Sequence, residues 1–178
     1  MKEEKKLLGE SRRNRLLDLL KESNAPITGS ELARLTNVSR QIIVGDITLL
    51  KARNEPIIAT SQGYLFLHTP ASPALSERTI ACQHSPGQAK EELYILVDLG
   101  VTVKDVKVEH PVYGDLTASI MVSNRHEVDQ FLEKIKQTNA AYLSELTEGI
   151  HLHTISASNE NTLNQAVAAL KDAGYLIH

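Results

Sequence analysis

The chain has 178 residues, of which 42% are hydrophobic and 23% charged, and it carries a formal net charge of −3. This composition suits one large globular domain or two small ones, and it excludes fibrous proteins. The single cysteine, Cys82, rules out an internal disulfide and a four-thiolate zinc site within one chain. No apolar run reaches the ~18 residues of a membrane span, and Met1-Lys2-Glu3-Glu4-Lys5-Lys6 leads into no signal-type core. A cytoplasmic location with no membrane partner is therefore expected.

The charge is unevenly divided. Residues 1–70 hold 11 Lys and Arg against 8 Asp and Glu, whereas residues 71–178 hold 8 against 14. A basic module followed by an acidic one points to a polyanion partner for the first part only. The expected organisation is a DNA-binding domain over 1–68, a linker over 69–75 (Thr69-Pro70-Ala71-Ser72-Pro73 at its heart) and a second domain over 76–178.

In the first module, Leu16, Leu17, Leu19 and Leu20 lie among Arg12, Arg13 and Arg15 in the pattern of an amphipathic helix over 10–22, ended by Asn24-Ala25-Pro26. Thr28-Gly29-Ser30-Glu31 fits a capping box at the start of a short helix over 30–35, with Glu31 reaching back to the cap. Thr36-Asn37-Val38 makes a tight turn. Ser39 then caps a third helix to about Lys51 or Ala52, with Ile42, Ile43, Ile47 and Leu50 as its buried stripe. Two helices joined by a short turn, the second with a polar outer face, make a helix-turn-helix, and the N-terminal end of the second helix reaches base edges in the major groove. The residues placed there are Ser39, Arg40 and Gln41, followed by Val44, Gly45, Thr48 and Lys51. Arg and Gln match the paired edges of guanine and adenine. Runs at Ile57–Thr60 and Tyr64–Leu67, separated by Ser61-Gln62-Gly63, predict a β-hairpin. That hairpin makes the module a winged helix, with Gln62 at the wing tip as a further DNA contact. A generic three-helix bundle with a hairpin is the plainer alternative.

The second module alternates strands and helices. Strands are expected over 78–84, 101–108, 116–122, 150–157 and 175–177. Helices are expected from Ser85-Pro86 to about Leu99, over 127–137, over 139–146 and over 160–173. The fold class is thus α+β: a winged helix-turn-helix, then a sandwich-type domain with a mixed or antiparallel sheet covered by helices.

Gly149-Ile150-His151-Leu152-His153-Thr154 is the segment with chemistry in it. Strand residues two apart point to one face, so His151 and His153 stand side by side, about 6–7 Å apart at Cα. Such a pair can share a divalent cation or can simply be hydrogen-bonded or exposed. On a wheel of about 100° per residue, Ala89, Ile95, Leu96 and Leu99 all fall within about 60° of Glu92, which puts this carboxylate inside the apolar stripe. A buried carboxylate requires a partner. A histidine-bound metal is one, and a salt bridge to Arg78, Arg125 or one of the domain's six lysines is another. His84 ends the strand before this helix, so His84, Glu92, His151 and His153 can converge. Three imidazoles and one carboxylate suit one nickel, zinc, iron(II) or cobalt ion per chain. Cys82 shares strand parity with His84 and is assigned to core packing. His68, His126 and His178 read as linker, surface and terminal residues, and His110 as either a turn or a pocket residue.

These features together resemble the niacin-responsive repressors of NAD biosynthesis and niacin uptake in Gram-positive bacteria, which join a biotin-repressor-type winged helix-turn-helix to a three-histidine domain. The resemblance spans roughly residues 7–177. It is carried by Asn37-Val38-Ser39-Arg40-Gln41 with Asp46-Ile47, by the stretch from Asp105 to Leu116 that contains His110-Pro111-Val112-Tyr113-Gly114, and by Leu146 to Thr154. It implies that His84, Glu92, His151 and His153 are the metal ligands and that His110 and Tyr113 lie near the effector. It also implies a homodimer that binds double-stranded operator DNA with nicotinic acid as co-repressor. Two other readings stay open from the residues: a repressor for which the cation itself is the signal, and an enzyme activating water on the metal. Against the enzyme, four protein ligands fill a tetrahedral site and leave no open position unless coordination expands, and no phosphate loop, dinucleotide fingerprint or Ser-His-Asp order is present.

Overall fold

The computed structural model describes residues 9–68 and 75–177. The expected linker residues 69–74 and His178 lie outside the described residues. Two compact units are formed, one within residues 1–70 and one within 71–178.

The first unit contains α1 (Gly9–Glu22), α2 (Gly29–Thr36), α3 (Arg40–Ala52), β1 (Ile57–Thr60) and β2 (Gly63–Phe66). The amide of Glu31 donates to the Thr28 hydroxyl at 3.1 Å, which caps α2. The reciprocal half of the expected capping box is not what the Glu31 carboxylate forms. It instead accepts from Arg34 one turn on, at 2.5 and 3.0 Å. Asn37 closes α2 in the left-handed conformation (φ 52°), and Ser39 caps α3 by accepting from the Ile42 amide. Leu16, Leu20, Leu32, Ile43, Ile47, Leu50 and Ile57 form the core. Ile42, expected in this core, is only half-buried, and Asp46 is buried on the same helix.

The wing differs from expectation in its turn. Thr60 pairs with Gly63, so the turn is Ser61-Gln62 and Gly63 already belongs to β2. Ile27 adds an antiparallel bridge to Tyr64, with both backbone bonds made at 2.8 and 2.9 Å. Gly63 is required there: its φ is +142°, and a Cβ would stand 2.5 Å from the Ile27 carbonyl oxygen.

The second unit contains β3 (Ser76–Gln83), α4 (Ala89–Asp98), β4 (Thr102–His110), β5 (Gly114–Val122), α5 (Arg125–Thr138), β6 (Ile150–Ala157) and α6 (Glu160–Asp172). The four strands pair in the order β3-β6-β4-β5, antiparallel at every step. One sheet face packs Ile80, Val103, Ile120, Val122 and Ile155 against Leu93 and Leu96 of α4, Val128 of α5, and Leu163 and Leu170 of α6. Alternation therefore sends His151, His153 and Ile155 of β6 under the helices, while Ile150 and Leu152 remain exposed.

Three expected elements are changed. The helix from Ser85 to Leu99 is divided into a 3₁₀ turn (Pro86–Gln88) and α4, because the Gln88 side chain folds back to accept from the Ser85 amide at 3.1 Å. The helix expected over 139–146 is absent. Left-handed Asn139 ends α5, and a 3₁₀ turn follows only at Leu143–Thr147. The closing strand reduces to a bridge between Leu176 and Cys82, flanked by bonds from the Gln83 amide to Tyr175 O and from the Ile177 amide to Ala81 O.

Candidate metal centre and DNA-reading helix

His84, Glu92, His151 and His153 come from β3's end, α4 and β6, and the fold brings them to one place. Glu92 Oε2 lies 2.7 Å from His84 Nε2 and 3.3 Å from His153 Nε2, and Glu92 Oε1 lies 3.4 Å from His151 Nε2. All four residues are buried, Glu92 to 1% exposure.

The backbone fixes each ring. His84 Nδ1 is 2.9 Å from Ser85 O, His151 Nδ1 is 2.8 Å from Gly149 O, and His153 Nδ1 is 2.6 Å from Asp105 O. A carbonyl only accepts, so each Nδ1 carries the proton and donates. A neutral ring anchored in this way turns its Nε2 lone pair toward the carboxylate, which is also only an acceptor. Acceptors facing acceptors in a buried site require shared protons or a cation between them. Glu92 Oε1 is a buried oxygen with no hydrogen-bond donor. Donor type, ring orientation and this orphaned oxygen all fit a divalent transition metal, and carbonyl-anchored imidazoles are the usual outer shell of such sites.

Two backbone features aim these side chains. The β4 ladder shifts register between Val103 and Asp105, the signature of a bulge, and the same stretch turns the Asp105 carbonyl toward His153. Gly149 (φ +90°) lies so close to His84 that any Cβ would collide with the His84 carbonyl, and its own carbonyl accepts from the His84 amide. This contact draws His84 against β6.

The charges respond accordingly. Burial alone would raise the Glu92 carboxyl, but in the metal-free site the charge of a protonated His153 and the close approach of the His151, His153 and His84 rings hold it well below the usual range. Burial would lower His84, whereas its contact with Glu92 raises it, and His153 is raised by the charge of Glu92 against the same burial effect. Burial and then the nearby Glu92 push the Cys82 thiol up.

Above the cluster opens a cavity of about 230 Å³, lined by the four residues and by Val106, Ala118, Phe131, Ile135, Tyr142 and Ser144 among others. The wall from Ala141 to Ser144 lies in the stretch expected to be helical, and its role was not read from the sequence. His110 and Tyr113 do not line this cavity. They occupy the β4–β5 turn, where His110 Nδ1 accepts from the Val112 and Tyr113 amides at 3.1 and 3.3 Å and Tyr113 is 74% exposed. His110 is thus a turn residue, with its imidazole standing in for a backbone acceptor. His126 is a surface residue bonded to Gln130, and exposed His68 packs on Phe66.

In the first unit, Ser39, Arg40, Gln41, Thr48 and Lys51 are all exposed on α3, and Gln62 is half-buried in the wing turn. Part of their polar capacity is used within the chain, since Ser39 caps α3 and the Thr48 hydroxyl donates to Val44 O at 2.8 Å. Gly45 faces open space, so no neighbour within the unit demands a glycine. Sequence reading missed Asp46. Its carboxylate accepts from Arg12 Nε at 2.5 Å and from Arg12 Nη2 and Arg13 Nη1 at 3.3 Å, which ties α3 to α1. The signal that exposed Glu92 was present here too, because Asp46 sits three residues after Ile43 and four before Leu50, inside the apolar stripe.

Residues 77–178 match the model of the 3H domain family, and residues 12–65 match an HTH domain. The chain is 60% identical over 178 residues to the transcription repressor NadR of Bacillus subtilis (strain 168), with 99% of each chain covered. It is 37% identical over 172 residues to the probable transcription repressor NiaR of Thermotoga maritima, with 97% of each covered.

Proposed function

The chain belongs to the 3H-domain family of transcription repressors, and on that premise we propose that nicotinic acid, bound beside a divalent metal in the second unit, is the co-repressor that tightens its hold on operator DNA. The protein is a DNA-binding repressor built on a helix-turn-helix, and it is not an enzyme. Among the described residues no helix is long and apolar enough to cross a membrane.

The observation that carries the proposal is the pairing of a buried, three-imidazole and carboxylate cluster with an apolar cavity directly over it. A cavity of about 230 Å³ falls below the ~300–1,000 Å³ of drug-sized ligand sites and suits a single-ring molecule. Val106, Ala118, Phe131 and Ile135 offer apolar surface to a pyridine ring, and Tyr142 and Ser144 offer hydroxyls. His84, Glu92, His151 and His153 would hold the metal, which when bound supplies a positive centre for the ligand's carboxylate. The cavity favours this reading over one in which the cation itself is the signal, because a metal sensor needs no apolar chamber.

The repressor acts as a homodimer, with two copies of α3 about 34 Å apart on successive major-groove faces of a near-palindromic operator. Arg40 and Gln41 read base edges, Ser39, Thr48 and Lys51 fix the helix on the backbone, and Gln62 contacts DNA from the wing. The regulated genes serve NAD synthesis or niacin uptake. An effector bound more tightly by the DNA-competent arrangement shifts the population toward it, and DNA tightens effector binding by the same factor.

The test is retention of a labelled operator by metal-loaded and chelator-stripped protein, with and without nicotinic acid, with nicotinamide as control. Retention that rises with the acid only when metal is present supports the proposal. Retention that follows metal and ignores the acid replaces it with metal-responsive repression.

A further inference from the structure

Cys82 stands directly opposite His151 in the β3–β6 ladder, so both side chains project from the helix-covered sheet face under α4. It is fully buried. Its Sγ, a carboxylate oxygen of Glu92 and a ring nitrogen of His151 lie within 4.8 Å of one another, a spacing that one ion can span. The second observation is independent of the thiol: Glu92, itself 1% exposed, has its Oε1 buried without any hydrogen-bond donor. A buried carboxylate oxygen without a hydrogen-bond partner, within reach of a thiol and an imidazole nitrogen, marks a cation position, because each of these groups is a metal donor.

We propose that Cys82 is a further ligand of the metal in this site, coordinating through Sγ on the side turned away from the cavity. The assignment rests on the metal reading proposed above. Among the described residues, His84, Glu92, His151 and His153 line the cavity and Cys82 does not, so the thiol approaches from behind. On coordination the S–H bond breaks, its proton leaves to solvent, and a sulfur lone pair forms the bond to the ion, with no change of oxidation state. The donor set becomes three nitrogens, one oxygen and one sulfur. If the ion takes a sixth donor, a ligand carboxylate entering from the cavity would supply it. A thiolate also shifts preference toward softer ions such as zinc and away from magnesium, calcium or manganese.

The test is spectroscopic and uses the full chain, stripped with chelator and titrated anaerobically with cobalt(II). The expected result is a sulfur-to-cobalt charge-transfer band in the near ultraviolet that saturates at one ion per chain together with the visible ligand-field bands. X-ray absorption of the zinc-loaded protein should show one sulfur neighbour at about 2.3 Å. Cys82→Ser should abolish the charge-transfer band and weaken metal binding about tenfold or more, at least the effect of losing a supporting group around a metal. The wild-type spectrum decides the matter even if the variant folds poorly. Ligand-field bands without charge transfer in the wild type would overturn the Cys82 assignment and leave the four-ligand site standing. Absence of cobalt uptake would overturn both.

Discussion

The imidazole of His84 and the carboxylate of Glu92 meet at 2.7 Å, nearly sealed from solvent at 9% and 1% exposure. Without metal, this contact behaves as an ion pair. His84 and His153 titrate above the ordinary 6.5 for histidine, so the stability they contribute is fully present below 6.5 and is lost as pH rises through their raised folded-state values. Glu92 titrates well below its ordinary 4.5, so its contribution is present above 4.5 and is lost as pH falls through its depressed value. Chelator-stripped protein should therefore be most stable between about pH 4.5 and 6.5. Metal-loaded protein should show the opposite slope below about 6.5, gaining stability as pH rises because the unfolded histidines bind protons that the ion excludes from Nε2 in the folded state, and it should not lose that stability above 6.5. Melting temperature measured against pH with and without chelator checks this. Parallel curves would remove the metal from the account.

His151→Ala with His153→Ala removes two anchored imidazoles from one strand while leaving Ile155 and the apolar core in place. Metal affinity should fall by about 100-fold or more, and effector-dependent operator binding should disappear while the far-ultraviolet spectrum persists. Full nicotinate-dependent repression by this double variant would contradict the site.

Asp46→Asn keeps the shape of the clamp between α1 and α3 but removes the charge that Arg12 and Arg13 share. A loss of about 1–3 kcal/mol in the stability of the first unit is expected. Operator affinity should drop with it, because the axis of α3 is no longer fixed. Metal binding by the second unit should be unchanged. Denaturant titration, operator retention and metal uptake on one preparation separate these effects.

Arg40→Ala and Lys51→Ala should fail in different ways. If Arg40 reads a base edge, its loss costs about 1–3 kcal/mol and relaxes preference at one operator position. If Lys51 meets phosphate, its loss weakens all sequences alike and lowers the salt slope by about one. Binding to a panel of operator variants at several salt concentrations distinguishes them.

Gly149→Ala probes the approach of β6 to His84. A methyl group there collides with the His84 carbonyl and opposes the positive φ. Metal affinity should therefore fall even though no ligand is changed, whereas Gly45→Ala, in open space, should leave folding intact.

Short-range patterns made much of this molecule legible. Period two put His151 and His153 on one face, and period 3.6 put Glu92 inside. Thr28 and Ser39 marked helix starts that both form. What escaped depends on distant chain. The bulge at Asp105 that orients His153, the Ile27 bridge that requires Gly63 and the cavity wall at Ala141–Ser144 all arise from tertiary packing that local propensity does not encode. That His110 and Tyr113 lie outside the cavity lining was hidden for a related reason. A histidine before a proline turn looks the same whether it faces a pocket or, as here, accepts its own turn's amides. Asp46 was legible by the rule that found Glu92, although its partners lie more than thirty residues earlier in the chain.

Calorimetric titration with nicotinic acid tests most directly whether metal, cavity and effector act together. Metal-loaded protein should bind one nicotinic acid per chain, nicotinamide should bind much more weakly, and chelator-stripped protein should bind neither. Equal binding of the acid with and without metal, or no binding in either state, would contradict a metal-assisted nicotinate site over His84, Glu92, His151 and His153.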